Sequence, residues 1–257
     1  MTESLAQTDS YLKEFDARVL AVDGESGAVA LDRSAFFPGG GGQPYDLGWL
    51  DDLAVRRVKR QGELIWHWLA QTPAGGASEP GQPAEQVPSA LPREGEIVHG
   101  RIDWPRRYRL MRTHTAFHIL CGVVWRDYSA QVTGGNMEEL RGRMDFEFET
   151  LRAELVREIE EKINKEVAAA REVRVRVLPR REAFEIPDLI RTKINLLPPD
   201  IREVRVVEIE GLDLQADGGT HVANTREVGG IRVVGYKSKG RINKRIELAL
   251  DVEQPSA

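Results

Sequence analysis

Cysteine is nearly absent: the 257 residues contain one, Cys121. An intramolecular disulfide is therefore impossible, and a cysteine-rich zinc module is excluded. Long apolar runs are missing too. No stretch approaches the roughly 20 residues that a membrane-spanning helix needs, and the opening "MTESLAQTDSYLKEF" has no apolar signal-peptide region. The expectation is a cytoplasmic protein with no membrane partner. Nor is there an excess of positive charge. The formal net charge is -5, so any contact with nucleic acid must come from local basic patches. What is present suits a globular chain: 41% apolar and 30% charged residues, enough for one large domain or two ordinary ones.

Residues 11–70 read as all-β. "ARVLAVDGESGAVALDRSAFF" alternates β-prone runs with Gly and Asp turn signals, and "LAVRRVKRQ" and "ELIWHWLA" add further strands. Many short strands separated by turns predict a barrel or small sandwich. Residues 71–96, rich in Pro, Gly, Ala and Ser, hold few large apolar side chains and predict a flexible loop. "IVHGRIDW" is one more strand.

The pattern changes near Pro105. "RRYRLMRTHTAFHILCGVVWRDY" has helical spacing, with Leu110, Phe117 and Cys121 among its apolar positions. "GRMDFEFE" alternates Met144, Phe146 and Phe148 with polar residues. "LRAELVREIEEKINKEVAAARE" repeats Leu151, Leu155, Ile159, Ile163 and Val167 every four residues, a clear amphipathic helix. "VRVRVL" predicts a half-buried strand, and "REVRVVEIEGLDL", "GIRVVGYKS" and "KRIELALDV" complete the set. The expected fold class is α+β. An N-terminal all-β barrel domain over 1–104 precedes a domain over 105–257 with helices on a largely antiparallel sheet.

Two short motifs carry potential chemistry. "HTAFH" puts His114 and His118 at i and i+4 on a predicted helix, where both imidazoles face one side and one metal ion can be held. A pair of partly buried structural histidines would show the same spacing. "DGGTH" offers Asp217 and His221 across a flexible Gly-Gly pair, or else a hairpin with a solvent-facing histidine. Three of the five histidines fall in these two motifs. Three imidazoles and a carboxylate suit one zinc ion. The run Gly40, Gly41, Gly42 and Gln43 is neither a P-loop nor a dinucleotide fingerprint. It is either a tight loop or backbone exposed for close approach to a ligand. Basic residues cluster at Arg106, Arg107, Arg109 and Arg112, and again at Lys237, Lys239, Arg241, Lys244 and Arg245. Each cluster is a solvated charged face or a set of phosphate contacts, and the second has fewer acids nearby.

Read in order, "FFPGGGGQPYDLG", "DWPRRYRLMRTHTAFHIL", "RMDFEFE" and "DGGTHVANTREVGGIRV" resemble the free-standing alanyl-tRNA editing proteins of the AlaX family. These are relatives of the editing domain of alanyl-tRNA synthetase. The resemblance runs from about Tyr11 to about Leu250, and the Gly-rich stretch matches the longer AlaX forms, which carry an N-terminal β-barrel. It implies a zinc-dependent hydrolase of protein biosynthesis that acts in trans on tRNA(Ala) mischarged with serine, and in some members glycine. One zinc ion and no ATP are expected, with mischarged tRNA(Ala) as partner and a monomer or homodimer as assembly. By that resemblance His114, His118 and His221 match histidine ligands. Thr115 matches a small hydroxyl position that contacts the aminoacyl group, and Gln131 matches a glutamine near the editing pocket.

Two positions depart from the family pattern. Asp217 stands where the family usually has cysteine, and Gly39 where it often has glutamate. Aspartate binds zinc through oxygen but is a harder ligand than thiolate. A four-residue ligand set and three histidines with water both stay open. So does a different class of function, a metal-free tRNA-binding or scaffold module.

Overall fold

Period-2 alternation of apolar side chains builds the first half of the chain. The computed structural model describes residues 1–70, 90–187, 189 and 201–252. The fold class is α+β, with mostly antiparallel sheets and three α-helices among the described residues. The chain divides into two units, Met1–Gly40 with Pro44–Tyr108, and Gly41–Gln43 with Arg109–Ala257.

The first unit contains β1 (Glu3–Ser4), β2 (Glu14–Asp23), β3 (Ala28–Leu31), β4 (Arg33–Ser34), β5 (Gly48–Leu50), β6 (Leu53–Gln61), β7 (Leu64–Ala70) and β8 (Ile97–Ile102). The short β1 and β4 pair in parallel. The other six pair antiparallel in the cyclic order β2-β3-β7-β6-β5-β8, with β8 returning to β2. Every second residue of β2 from Phe15 to Val19 joins a core with Val29, Leu31, Phe36, Leu50, Ile65, Leu69 and Val98. That alternation is what a sheet with one covered face requires.

His67 on β7 is fully buried in this unit, with Nε2 2.8 Å from Ser34 Oγ and Nδ1 3.3 Å from the Val29 carbonyl. Burial pushes its pKa down to about 4. The first basic cluster is corrected here: it is no uniformly solvated face. Arg107 is fully buried on the Asp46 carboxylate, and its Nη1 donates to the Ser10 carbonyl. Arg112, in the second unit, is also buried and donates to the carbonyls of Val228 and Asp251. Cations so placed satisfy backbone and carboxylate acceptors and cannot meet phosphate.

The helix α1 (Trp104–Tyr128) leads into the second unit. Leu110, Met111, Ala116, Ile119, Leu120, Val123 and Val124 are all inaccessible to solvent. A helix apolar on so much of its circumference belongs in a core. After it come β9 (Val132–Glu138), β10 (Arg141–Glu147), α2 (Ala153–Ala168), β11 (Val173–Pro179), α3 (Arg180–Glu185), β12 (Glu203–Ile209), β13 (Asp213–Ala216), β14 (Ile231–Ser238) and β15 (Asn243–Leu250). They form two antiparallel sheets, β14-β15-β10-β9 and β11-β12-β13. Helix α2 buries Ile159, Ile163 and Val167 of the stripe its spacing predicts, with Val156 added, whereas Leu155 is partly exposed and Leu151 precedes the helix.

Three local expectations are revised. The "VRVRVL" strand forms as β11 but is not half-buried. It lies at a sheet edge with Val175 and Val177 exposed beside their arginines. Strand β9 and helix α3 were not expected at all. "VTGGNME" has two glycines and little β-branching, so propensity is silent and the β10 ladder dictates its form. The loop expected over 71–96 lies mostly outside the described residues.

A candidate metal centre

Helix α1 sets the first half of the site. Its 3.6-residue turn brings His114 and His118 to one face, with ring centroids 5.2 Å apart. The second half follows β13, where the chain leaves the sheet at Asp217 and returns His221 to the helix. The His221 ring lies 4.2 Å from that of His114 and 4.7 Å from that of His118. One ligand atom from each of His114, His118, Asp217 and His221 falls within 4.8 Å of all the others. All three histidines are buried, and the Asp217 side chain keeps 14% exposure.

The glycines make this approach possible. A Cβ at Gly219 would lie 2.3 Å from His114 Cε1 and 2.5 Å from Gln43 Oε1. No other residue fits that gap. Gly41 and Gly42 adopt positive φ of 59° and 90°, and the chain then presents Gln43. Gln43 is buried, not turned to a ligand by its backbone alone. Its Oε1 accepts from the Thr220 amide at 3.0 Å and lies 3.0 Å from His114 Nδ1, while its Nε2 donates to Thr220 Oγ1 at 2.8 Å.

Two further side chains fix the other rings. His118 Nδ1 sits 2.9 Å from Asp213 Oδ2, which also accepts from Gln215 Nε2 at 2.7 Å. His221 Nδ1 lies 3.3 Å from Thr115 Oγ1, and that hydroxyl accepts from the Val222 amide at 3.2 Å. The second nitrogen of His221 is 2.9 Å from Asp217 Oδ2, and Nε2 of His114 is 3.5 Å from Asp217 Oδ1. Asp217 is itself anchored. Its Oδ2 accepts from the Gly219 amide at 2.7 Å, and Arg205 Nη1 donates to its carbonyl at 2.9 Å, 3.7 Å from Oδ2.

Electrostatics favour deprotonated His114, His221 and Asp217. Burial lowers the pKa of His114 to about 4 and, with His114 as neighbour, holds His221 well below its ordinary value. Burial alone would raise Asp217, but the surrounding histidines outweigh it and keep the carboxyl well below the usual range. His118 moves the other way. Burial opposes its charge, yet the Asp213 hydrogen bond and charge raise its pKa.

The remaining sequence-derived candidates lie elsewhere. Gln131 is exposed just before β9, and its carbonyl accepts from the Glu147 amide. Lys237, Lys239 and Arg241 are exposed on or beside β14. Lys244 is buried and donates to the carbonyls of Gly240 and Arg241, while Arg245 grips Asp145 at 2.7 Å. Gly40 has φ of 136° and belongs to the first unit.

Comparison with known proteins decides the family. The chain is 38% identical to the alanyl-tRNA editing protein AlaX-M of Saccharolobus solfataricus over 255 residues, covering 96% of this chain and 98% of that one. It is also 38% identical to AlaX-M of Methanosarcina mazei over 250 residues, 97% of each chain. The chain belongs to the AlaX-M family of alanyl-tRNA editing proteins. Its AlaX-M character extends to larger enzymes. The alanine–tRNA ligase of Pyrococcus furiosus is 36% identical over 240 residues, which is 91% of this chain but 24% of the ligase. Residues 204–247 match the threonyl and alanyl tRNA synthetase second additional domain. That segment includes Arg205, Asp213, Asp217 and His221 of this AlaX-M chain.

Asp213 and Arg205 escaped the sequence reading. A signal for Asp213 existed: Asp213, Gln215 and Asp217 alternate along one strand and its extension, so all three side chains share a face.

Proposed function

We propose that this chain is a trans-editing hydrolase that cleaves the ester of mischarged tRNA(Ala), Ser-tRNA(Ala) above all and Gly-tRNA(Ala) as a second substrate, at a single zinc site. The observation that carries it is the convergence of His114, His118, Asp217 and His221 in a chain of the AlaX-M family. The donor set fits zinc: three imidazoles and one carboxylate, with two of the rings engaged through Nδ1 by Gln43 and Asp213, which leaves their Nε2 atoms to serve as ligands. Bound there, the ion supplies Lewis acidity for ester hydrolysis.

The chain's own residues do the rest. An aminoacyl ester is already activated, so the site needs mainly to hold the carbonyl and a water in register. Arg205 keeps positive charge beside Asp217 at the edge of the cluster. Thr115 and Gln131 are the residues proposed to read the serine hydroxyl. A pocket that hydrogen-bonds this hydroxyl leaves polar groups unpaired when alanine enters, which discriminates against the cognate ester. Their footing differs, since Thr115 lies inside the cluster and Gln131 is exposed. Lys237, Lys239 and Arg241, with backbone at Gly40, Gly41 and Gly42, form the proposed RNA-contacting set. The cyclic strand order of the first unit supports reading residues 1–104 as a β-barrel domain, with the editing domain over 105–257.

A metal-free RNA-binding module has less support. That reading rests on the missing cysteine and the basic C-terminal strand region, and Asp217 brings a carboxylate into the same cluster as the histidines. The test is a deacylation panel of Ser-, Gly- and Ala-tRNA(Ala), with and without chelator. Chelator-sensitive release of serine, with Ala-tRNA(Ala) spared, is expected. Release that survives chelation and metal analysis without zinc would overturn the metal-dependent reading.

A further inference from the structure

We propose that Gln43 and Asp213 are positioning residues that hold His114 and His118 as their Nδ1–H tautomers, each with its Nε2 lone pair free for a ligand. The logic runs through groups that can only donate or only accept. The Thr220 amide can only donate, so the oxygen of the Gln43 amide is the atom facing it at 3.0 Å. The amide nitrogen is spent on Thr220 Oγ1 at 2.8 Å. The same oxygen is the atom 3.0 Å from His114 Nδ1. Two acceptors cannot share that contact, so the ring nitrogen carries the proton. Asp213 acts likewise on His118. Its Oδ2 takes a hydrogen bond from the Gln215 amide at 2.7 Å and one from His118 Nδ1 at 2.9 Å. A neutral imidazole with a proton on Nδ1 has a bare Nε2.

His221 is built differently. Its Nδ1 faces the Thr115 hydroxyl, which can donate or accept, and its Nε2 faces Asp217. The Asp217 carboxylate only accepts, and the Thr115 hydroxyl already accepts from the Val222 amide, so this ring carries its proton on Nε2 and faces the hydroxyl proton with Nδ1. His114 and His118 thus present a bare Nε2, whereas His221 must release a proton before its Nε2 can bind a ligand.

The consequence for metal binding rests on the zinc reading above, but the tautomers themselves do not. The first experiment uses the full-length metal-free protein with 15N-labelled histidine at about pH 8, where imidazoles are mostly neutral. Long-range 1H–15N correlation should show Nδ1 protonated and Nε2 unprotonated for His114 and His118. An Nε2–H tautomer at either ring overturns the proposal. The second experiment is zinc affinity by competition with a chromophoric chelator. Asp213→Ala and Gln43→Ala should each weaken zinc by about 10- to 100-fold, the range typical of lost ligand-orienting partners. Asp213→Asn, which keeps an acceptor oxygen, should recover most of the loss. Wild-type affinity in both alanine variants overturns the proposal. If Asp213→Ala does not fold, Asp213→Asn and Gln43→Ala decide. A wild type that binds no zinc sinks the functional reading, and the tautomer spectrum then decides the positioning role alone.

Discussion

Asp217 is the residue on which the proposed metal site turns. By the family resemblance it stands where cysteine is usual, with a group that is longer in reach and harder as a ligand. The structure compensates by fixing it: the Gly219 amide binds one oxygen and Arg205 holds its carbonyl. Asp217→Ala is expected to lower zinc affinity by at least about tenfold, measured by chelator competition. Affinity equal to wild type would mean that the carboxylate is not a ligand. Gly219→Ala is expected to damage the site more. Its Cβ would collide with His114 and Gln43 together, so serine release should fall by more than about 100-fold, since an ångström of misplacement costs that much. Deacylation rates beside a denaturation curve separate a lost geometry from a lost fold.

His67 yields the pH dependence. Its folded pKa is about 4, below the ordinary 6.5. The unfolded chain therefore binds the extra proton first as pH falls. Stability from keeping this ring neutral is full above about pH 6.5 and is lost as pH drops toward 4, worth about 3 kcal/mol across the window. Urea unfolding between these limits should show that slope, and His67→Gln should flatten it. A slope unchanged in the variant would assign the effect to other groups.

At the scale of elements, the turn after His221 is held by a cap. Asn224 accepts from the Arg226 amide at 2.9 Å, and Glu227 accepts from the Asn224 amide at 3.0 Å, at the start of the 3-10 turn Thr225–Val228. Asn224→Ala should cost about 1 kcal/mol of stability, read by chemical denaturation. No change would show that the Glu227 half of the box suffices. These elements also show what a sequence discloses. Helices α1 and α2 were legible because their apolar stripes repeat at the helical period, and His114 with His118 followed from that period. Asp217 with His221 was legible as a pattern of residue types. Gln43 and Asp213 as partners of the histidines were not. They sit 71 and 95 positions from the rings they bind, and only packing sets those pairs. Strand β11 misled because its valines alternate as a half-buried strand's would, whereas Val175 and Val177 are exposed along with the arginines between them.

For the molecule as a whole, a net charge of -5 makes the placement of each cation matter. The second basic cluster splits in two. Lys244 and Arg245 are committed to internal acceptors, while Lys237, Lys239 and Arg241 are exposed, Lys239 with its ammonium 3.3 Å from Asp145. Lys237→Ala and Arg241→Ala should each weaken tRNA binding a few-fold and reduce the salt slope by about one. Arg245→Ala should act on stability, because it strips Asp145 of its closest cation. Filter binding over a salt series, paired with denaturation, distinguishes the two classes. Equal salt slopes in all variants would remove this surface from RNA contact.

The loop Gly41–Gln43 groups with the second unit, although the residues on both sides of it group with the first. The second unit is consequently not a continuous length of chain. A fragment starting at Arg109 would keep His114, His118, Asp217 and His221 and lose the Gln43 amide that lies 3.0 Å from His114 Nδ1. No single cut releases a whole site. For a gene, this means that removing residues 1–108 as one block takes Gln43, a residue of the second unit, away with the first.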